Sequence, residues 1–536
     1  MRKKIKIFNG RFYAAAALLL SAGIFLAVYA NAFLIAAAGF FLFLVLGGRR
    51  KLFLIFFIIG AAYVPIALGV YESKHNETRP NASIEGVIDS LISENASGVS
   101  FYINGLKVDG ERYNGRARVV MSDKTIADGA LEQGLAVRFT GEISKYNLYP
   151  KVNFSMHAYN RGCYYGVKPV SDVSVSKSDF GGAAVAAAFR RSVYSGLNAY
   201  LSAENAGVAY ALMFGDRTDI TDDVASAYKN AGLMHVFAVS GLHFGFLFAF
   251  LAGIFRRLKL KNRTVRNILT FLIFLAFAYV CGFSPSVMRS VIMITVYSYA
   301  AASGRKNDRL NSLSFAAVLI LLINPFFLFD LGFVLSFTAV LGLALFTRKI
   351  GGVMTVIENG LMTKIFPDYR KELKRADTPR AVRTAKKLNG AIKNSLVMTF
   401  SANVGVFPVM CAYFGGIPLA AFAANIIVVP AVSVLFPYLL AASVIGVLFP
   451  PLQALLAPTD FVIGAVNAFT NLFSQNAFLA GEGLAAFVSA RFGEHAPFVF
   501  SLLYYASLLY LSDVYIGPRL GIIRKLKALK RNENDE

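Results

Sequence analysis

Tryptophan is absent from this 536-residue sequence, and cysteine, histidine and charged residues are scarce. Asp, Glu, Lys and Arg together make up 16% of the chain, well below the roughly 25% of an average soluble domain. Because 56% of the residues are hydrophobic, the composition excludes an ordinary soluble protein and predicts a polytopic membrane protein. The three cysteines lie far apart, which argues against a disulfide framework and against a C-x-x-C zinc site.

The motifs of several enzyme classes are also missing from the sequence. It contains no G-x-x-x-x-G-K-[ST] loop for ATP, no H-E-x-x-H and no H-x-H-x-D-H cluster. The five histidines are too scattered for a two-metal nuclease. We therefore expect a protein that is not an enzyme, with no cofactor and no bound metal.

The formal net charge of +23 results from 54 Lys and Arg against 31 Asp and Glu. Such an excess is typical of nucleic-acid-binding proteins. Basic cytoplasmic loops, which fix the orientation of membrane proteins, produce the same excess. We attribute most of the charge to orientation, so the net charge alone says little about the substrate.

The N-terminus, MRKKIKIFNGR followed by an apolar stretch, resembles a secretory signal peptide. The apolar run continues almost unbroken to Leu46, which is long enough for a second helix. We therefore predict an uncleaved hairpin of two membrane helices at this end of the chain.

Apolar runs of about 20 residues, the length that crosses a bilayer, recur along the chain and predict about twelve spans. The predicted spans are residues 12–29, 31–46, 52–70, 234–254, 267–283, 286–303, 312–328, 331–347, 394–412, 419–447, 459–475 and 497–514. Pro430 and Pro437 interrupt one of them, which is therefore either a broken span or a re-entrant pair.

Two stretches have a different pattern. Residues 80–170 alternate apolar and polar positions between glycines, which predicts a small all-β domain. In residues 183–214, apolar residues four apart, from Val185 to Leu201, alternate with polar ones such as Arg190, which predicts an amphipathic helix lying on the membrane. The predicted domains are N-terminal transmembrane helices (1–71), the β domain (72–182), an interfacial segment (183–230), a second transmembrane domain (231–515) and a basic tail (516–536).

The basic segments between the predicted spans all fall on one side of the membrane. They are the N-terminus, GGRRK, residues 256–266, 304–309 and 348–393, and the C-terminal tail. The positive-inside rule places this side in the cytoplasm. It therefore predicts cytoplasmic N- and C-termini, and it places the β domain and the GDRTD segment outside.

The segment HVFAVSGLHFG carries polar residues that a simple membrane anchor does not need. Residues eight apart in a helix are rotated by about 80°, so His235 and His243 are expected to share a broad face with Ser240 at its edge. Polar groups in a membrane usually face a bundle interior or a wet cavity. The alternative is a pair of hydrogen-bonded structural histidines.

The segment CGFSPSVMRS predicts an anion site. Ser284 is suited to cap a helix that has Pro285 at its first position, and Arg289 follows one turn later at the outer side. A helix N-terminus and an arginine together favour phosphate or carboxylate. The alternative is an arginine that extends to the lipid interface.

Two further segments interrupt apolar runs. In NPFFLFDLGFVLSF, the acid Asp330 is expected first as a structural counter-ion of Arg289. In YFGGIPLAAFAANIIVVP, a glycine pair is followed by Asn425 and Pro430. Broken helices of this kind are typical of transport cavities.

Five of these segments occur in an order that resembles the ComEC family of DNA-internalisation competence proteins. They are GDRTDI, AGLMHVFAVSGLHFG, GFSPSVMRS, the region from NDRLNSLSF to SFTAVLG, and YFGGIPLAAFAANIIVVP. The likeness is strong over about residues 200–440. It extends weakly to the N-terminal hairpin and to the external β segment, which resembles the OB-like domain of that family.

The resemblance implies a multi-pass channel in the bacterial plasma membrane that admits one strand of incoming DNA. The residues expected to line the DNA path are Asp216, Arg217, His235, Ser240, His243, Ser284, Ser286, Arg289, Asp330, Ser336 and Asn425. Five aromatic residues of the β segment are suited either to stack on bases or to fill its core: Phe101, Tyr102, Tyr146, Tyr149 and Tyr159.

The expected partners are single-stranded DNA, membrane lipid and other competence proteins, including an external DNA receptor and a cytoplasmic ATPase. Many family members also carry a C-terminal metallo-β-lactamase-like domain, and the sequence, which reaches residue 536 soon after its last predicted span, is expected to be a form without it. Strand degradation is therefore not expected of this polypeptide, and a separate nuclease is a further candidate partner. Two other hypotheses stay open: a secondary transporter of a small anionic solute, and an intramembrane enzyme that uses His235, Ser240 or His243.

Overall fold

The computed structural model describes residues 12–29, 32–45, 54–72, 78–89, 92–95, 98–121, 127–128, 131, 134–146, 163–177, 181–217, 219–283, 285–302, 308–365, 380–414 and 420–474. The α-helices in these residues are α1 (Phe12–Tyr29), α2 (Ala32–Val45), α3 (Leu54–Glu72), α4 (Gly181–Tyr200), α5 (Ala203–Phe214), α6 (Asp222–Asn230), α7 (Gly241–Arg257), α8 (Arg263–Val280), α9 (Pro285–Ala302), α10 (Arg309–Ile323), α11 (Leu331–Ile365), α12 (Arg380–Phe414), α13 (Ala420–Leu448) and α14 (Ala457–Ser474). Short 3-10 helices occur at Met234–Val236, Pro325–Phe329 and Pro450–Leu456.

The β-strands lie between α3 and α4. They are β1 (Arg79–Ile88), β2 (Ser93–Asn95), β3 (Gly98–Val108), β4 (Glu111–Arg112), β5 (Arg116–Met121), β6 (Ala127–Asp128), β7 (Leu135–Lys145), β8 (Cys163–Pro169) and β9 (Val173–Lys177). These strands form the small β domain that the alternating sequence predicts.

Five strands close into a barrel. The order is β1, β3, β5, β8 and β7, and β7 pairs again with β1. Only the β5–β8 pairing among these five is parallel. A closed five-stranded Greek-key barrel is the general plan of the OB-fold.

The barrel interior is filled by side chains that alternate along each strand. Phe101 and Ile103 on β3 and Val119 on β5 are each at most 1% exposed. Phe101 is therefore a core residue, while Tyr102 and Tyr146 are half-buried. Tyr149 and Tyr159 lie outside the described residues.

Within the described residues, four helices are long and apolar enough to cross a membrane, which agrees with the predicted class of helical membrane protein. They are Arg263–Val280, Leu331–Glu358, Ala420–Leu448 and Pro450–Ser474. Shorter apolar helices cover Ala15–Val28, Leu54–Ile66, Ser286–Val296 and Leu310–Ile323. The predicted span 497–514 and the tail 516–536 lie outside the described residues.

Three predicted elements have different bounds in the structure. The predicted span 234–254 is not one helix, because a 3-10 turn and extended backbone precede α7. The segment 348–393 is not simply a loop, since α11 continues to Ile365 and α12 begins at Arg380. The 419–447 run is one helix, α13, despite its two prolines.

The prediction of a single interfacial helix over residues 183–214 is wrong. Two helices, α4 and α5, occupy this stretch, and α5 is buried from Asn205 to Phe214. It therefore belongs to the helical core. On α4, Val193 and Leu197 are buried as expected, but Val185 is 69% exposed and Arg190 is only 6% exposed.

Candidate functional site

The first turn of α7 is fixed by a capping box. Ser240 has extended backbone angles (φ −130°, ψ 175°), and its hydroxyl oxygen accepts a hydrogen bond from the Leu242 amide at 3.3 Å. The Ser240 amide in turn donates to Nδ1 of His243 at 3.4 Å. This reciprocal pairing ends the chain's extended run and starts the helix at Gly241.

Gly241 brings the α7 N-terminus against the side chain of Arg289 on α9. A Cβ atom at Gly241 would lie 3.2 Å from Nη2 of Arg289 and 3.4 Å from the Ser290 hydroxyl oxygen. The distance to Nη2 is tighter than ordinary contact and the distance to Ser290 is an ordinary contact, so a side chain at this position would press on the guanidinium. Gly245, one turn later, would meet nothing within 4 Å.

Arg289 is buried, with 4% of its surface exposed. Its guanidinium lies 5.8 Å from the centre of the Phe337 ring on α11, and its Nε atom has no hydrogen-bond partner in the described residues. The alternative of an arginine extending to the lipid interface does not fit this burial. Ser284, the predicted cap of α9, lies outside the described residues.

Asp330 is not the counter-ion that the sequence predicts for Arg289. Its Oδ1 accepts a hydrogen bond from the Phe333 amide at 2.9 Å, so the carboxylate caps the N-terminus of α11. None of the residues that the structure describes forms an ion pair with Arg289. Asp330 therefore caps the helix that follows it and does not form the predicted ion pair with Arg289.

Hydroxyl groups join α9 to α11 beside Arg289. The Ser286 and Ser336 hydroxyl oxygens are 3.4 Å apart. Ser290 donates to the Ser286 carbonyl at 2.8 Å. The structure thus brings three predicted path residues, Ser286, Arg289 and Ser336, into one cluster with the start of α7.

The two histidines do not share a helix face, because His235 lies in the 3-10 turn before α7. Its Nδ1 is 3.0 Å from the Gly232 carbonyl oxygen, and the residue is exposed. His243 is 1% exposed, and its ring packs edge-on against Phe436 of α13 with 4.8 Å between the ring centres. The predicted common face of His235 and His243 is therefore wrong.

Ser240 and His243 are also residue types that act as nucleophile and general base in enzymes. Their Oγ and Nδ1 atoms are 3.3 Å apart, but both atoms serve the capping box of α7. Nε2 of His243 has no hydrogen-bond partner in the described residues that could orient the ring as a catalytic base. The pair is explained by helix capping.

The GDRTD loop packs on the segment before α7. Gly215 has a φ of +79°, which favours glycine, and a Cβ there would lie 3.6 Å from the Phe237 carbonyl oxygen. Nη2 of Arg217 donates to the Met234 carbonyl at 3.5 Å. Arg217 therefore lies against the residue that precedes His235.

Arg190 is a charged residue that the sequence pattern assigned to the polar face of α4. In the structure it is buried and interacts electrostatically with Asp216. A periodicity argument could not find it, because its position in the helix fits the polar stripe. The main-chain carbonyl oxygen of Asn425 accepts a hydrogen bond from the Ser395 hydroxyl at 3.5 Å, and its side-chain Oδ1 is buried without a hydrogen-bond partner in the described residues.

The described residues contain no group of three or more His, Cys, Asp or Glu side chains that could hold a metal ion. The chemistry of the cluster is instead that of a cation beside a helix N-terminus. Partial positive charge at the start of α7 adds to the charge of Arg289. This arrangement favours an anion.

The polar segments lie in the part of the chain that is similar to known proteins. The sequence model of the competence protein family matches residues 212–513, which include all five motifs. ComE operon protein 3 of Bacillus subtilis (strain 168) is 26% identical over 311 residues, which cover 57% of this chain and 40% of that protein. A protein of Aquifex aeolicus (strain VF5) is 29% identical over 146 residues, which cover 27% of this chain and 34% of the relative.

The alignments thus span less than half the length of either relative. No solved structure shows significant similarity to the chain. The family match nevertheless extends over more than half of the 536 residues and confirms the resemblance carried by the motifs. The chain belongs to the competence protein family.

Proposed function

We propose that this protein forms a membrane path for the uptake of transforming DNA, through which one strand crosses the bacterial plasma membrane. Membership of the competence protein family supports the role in uptake. The path is proposed to run beside the cluster of Ser286, Arg289 and Ser336, with Asp216, Arg217 and His235 near its entrance.

The observation that carries the proposal is the environment of Arg289. A buried cation is costly in a membrane protein unless an anion balances it. Arg289 has no acidic partner in the described residues and lies against the positive end of α7. A strand with one negative charge per nucleotide would supply an anion that balances this charge.

The proposed topology has about twelve spans with both termini in the cytoplasm. The barrel and the GDRTD loop would then lie outside, where the strand arrives, and the starts of α7 and α9 would face them. Cysteine substitution followed by an impermeant thiol reagent tests this arrangement. Labelling from outside at Asn104 but not at Lys374 is expected, and the reverse pattern would overturn it.

The barrel is proposed as an OB-like domain that contacts the incoming single strand, in line with its strand order. The proposed partners are an external DNA receptor, a cytoplasmic ATPase that supplies energy, a separate nuclease and the surrounding lipid. The ATPase is included because the sequence contains no phosphate-binding loop of its own.

The direct test is DNA uptake by competent cells that carry Arg289→Ala or Arg289→Glu. Both variants are expected to import less labelled DNA, and the glutamate should be worse because it repels phosphate. Membrane abundance is measured in parallel by immunoblot. Arg257→Ala, an exposed arginine at the other end of α7, is the matched control. Normal uptake by stably inserted Arg289 variants would contradict the proposal.

A carrier for a small anionic solute is the second candidate, because Arg289 is almost completely enclosed. A carrier site is closed and sized for its solute, whereas a path for a DNA strand has to be open from one side of the membrane to the other while the strand passes. Uptake of DNA fragments and of radiolabelled phosphate in the same cells separates the two functions. Arg289-dependent phosphate uptake with unchanged DNA uptake would favour the carrier.

A further inference from the structure

We infer that Arg289 and the first turn of α7 form a binding site for one phosphate oxyanion. This inference rests on the proposed function for the source of the phosphate, which would be the backbone of the incoming strand. A phospholipid headgroup offers the same chemistry, so the experiment has to distinguish the two sources.

The electrostatics of the site require an anion. The first amides of a helix lack intrahelical acceptors. The Ser240 hydroxyl satisfies those of Leu242 and His243, which leaves the amide of Gly241. The guanidinium of Arg289 is directed at this same turn. Two positive groups placed together without an acidic partner repel each other, unless a bound anion joins them.

The orientation of Arg289 suits two-point recognition of an oxyanion. Nε and Nη2 form one edge of the guanidinium, the edge that binds phosphate through parallel hydrogen bonds. Nε has no partner among the described residues. Nη2 is the guanidinium nitrogen nearest Gly241, at 3.2 Å from a Cβ placed there, compared with 3.6 Å for Nη1. Nη2, which shares an edge with the unpartnered Nε, therefore lies beside the helix N-terminus.

Gly241 is the residue that makes this geometry available. Its lack of a side chain lets α7 approach Arg289 and Ser290, so a methyl group at this position would push the guanidinium away by a few tenths of an ångström. Close helix packing alone would explain a glycine at position 241. The arginine beside it adds hydrogen-bond donors that can bind an oxyanion.

The burial of Arg289 limits which part of a nucleotide can bind at the site. Because only 4% of Arg289 is exposed, the site is expected to admit a small oxyanion such as one phosphate and to exclude a base. Contacts to phosphates carry no sequence information. The site is therefore expected to bind a strand of any sequence, one phosphate at a time.

The test measures binding to the purified full-length chain in a phosphate-free maltoside detergent. A short fluorescent oligothymidylate is compared with its methylphosphonate analogue, which has the same bases and an uncharged backbone. Moderate salt suppresses contacts with exposed basic loops. The wild-type protein is expected to bind the phosphodiester and to bind the analogue far more weakly.

Three variants and one control define the site. Arg289→Gln should weaken phosphodiester binding by about ten- to a hundredfold, since it removes charge-assisted hydrogen bonds. Gly241→Ala should weaken it because the added methyl group displaces the guanidinium. Arg257→Gln removes the same charge from the far end of α7 and should bind like the wild type. Arg289→Lys keeps the charge but loses the two-point edge, so an intermediate affinity is expected.

The outcomes separate this inference from the proposed function. Unchanged binding by folded Arg289→Gln, or by Arg289→Lys and Gly241→Ala if the glutamine variant does not fold, overturns the site even when DNA uptake falls. Lost binding in variants that import DNA normally supports the site and contradicts the proposed function. Arg289-dependent binding of phosphatidylglycerol that the oligonucleotide does not displace supports a phosphate site and overturns the strand as its source.

Discussion

Gly241 and Arg289 lie 48 positions apart in the sequence, yet a Cβ at Gly241 would lie 3.2 Å from Nη2 of Arg289. The glycine begins α7, and the arginine lies in the second turn of α9. Their contact places a full positive charge against a helix N-terminus inside the protein. This is an unfavourable arrangement for stability alone, which is why we associate it with binding.

The first prediction is that Arg289→Met increases the stability of the ligand-free protein while it reduces DNA uptake. Methionine removes a buried charge that has no ion-pair partner in the described residues. Replacing buried charges by apolar residues often stabilises a protein by about 1–4 kcal/mol. Thermal unfolding of the purified chain, followed by circular dichroism, measures the change.

The matched control for that prediction is Arg257→Met, which replaces an exposed arginine on the same helix. It should leave both the unfolding temperature and the uptake near the wild-type values. A lower unfolding temperature for Arg289→Met would show that the arginine has a stabilising partner, and would count against an anion site at this position.

The second prediction concerns the crossing of α11 and α12. A Cβ at Gly405 would collide with the Thr338 carbonyl oxygen and would lie 3.0 Å from Cα of Gly342. Gly405→Ala is therefore expected to destabilise this helix pair by about 1–3 kcal/mol. Gly352→Ala on α11 is the control, because a Cβ there meets nothing within 4 Å. The control should be neutral or stabilising, since alanine is the better helix former.

The unfolding temperatures of the two purified variants test whether the α11–α12 crossing requires a glycine at position 405. The two glycine substitutions should move the unfolding temperature in different directions, or at least by clearly different amounts. Equal shifts would mean that the α11–α12 crossing tolerates a wider separation than the structure shows.

The third prediction is a pH effect in the β barrel. Burial raises the pKa of Asp89 above 3.8, although the ion pair with Arg116 at 2.6 Å opposes the shift. A raised pKa means that the folded state holds the proton more tightly than the unfolded state does. This contribution to stability is present in acid and is lost as the pH rises through the folded pKa.

Asp89→Asn tests this sign in a fragment of residues 72–182. Relative to the wild type, the variant should gain stability as the pH rises from acid to neutral, because asparagine has no charge to desolvate. Urea unfolding at each pH measures the difference. Arg116 is 41% exposed and tolerates the loss of its partner. A constant difference across the pH range would show that Asp89 titrates normally.

The sequence predicts some elements well because their signal is local. The apolar runs of the first hairpin match α1 (Phe12–Tyr29) and α2 (Ala32–Val45) closely, since length and hydropathy suffice for such helices. The alternation of apolar and polar residues in 80–170 predicts strands because this pattern, too, is local in the sequence. The closure of the barrel by β1 and β7 is a long-range pairing that no local pattern contains.

The candidate site was predicted in part. Arg289 was found because proline and serine near it predicted a helix N-terminus, which the structure has at Pro285. The partner of Arg289 could not be predicted, because Asp330 has a nearer use as the cap of α11. The start of α7 was misplaced because hydropathy does not distinguish a continuous helix from one that begins at a capping serine.

The last prediction concerns His243, which we expected to line the same cavity as Arg289. Residues two apart in a helix are rotated by about 200°, so His243 points away from the face where Gly241 meets Arg289. It contacts Phe436 and completes the capping box with Ser240. His243→Ala should therefore lower uptake mainly by destabilising the start of α7, by about 0.5–2 kcal/mol for the cap and more for the lost packing. His243→Gln is the decisive variant, because glutamine is a normal residue at this position of a capping box. We expect the glutamine variant to retain most of the stability and uptake that alanine loses, as measured by circular dichroism and DNA import. A glutamine variant that is as stable as the wild type but imports no DNA would instead place His243 in the path of the strand.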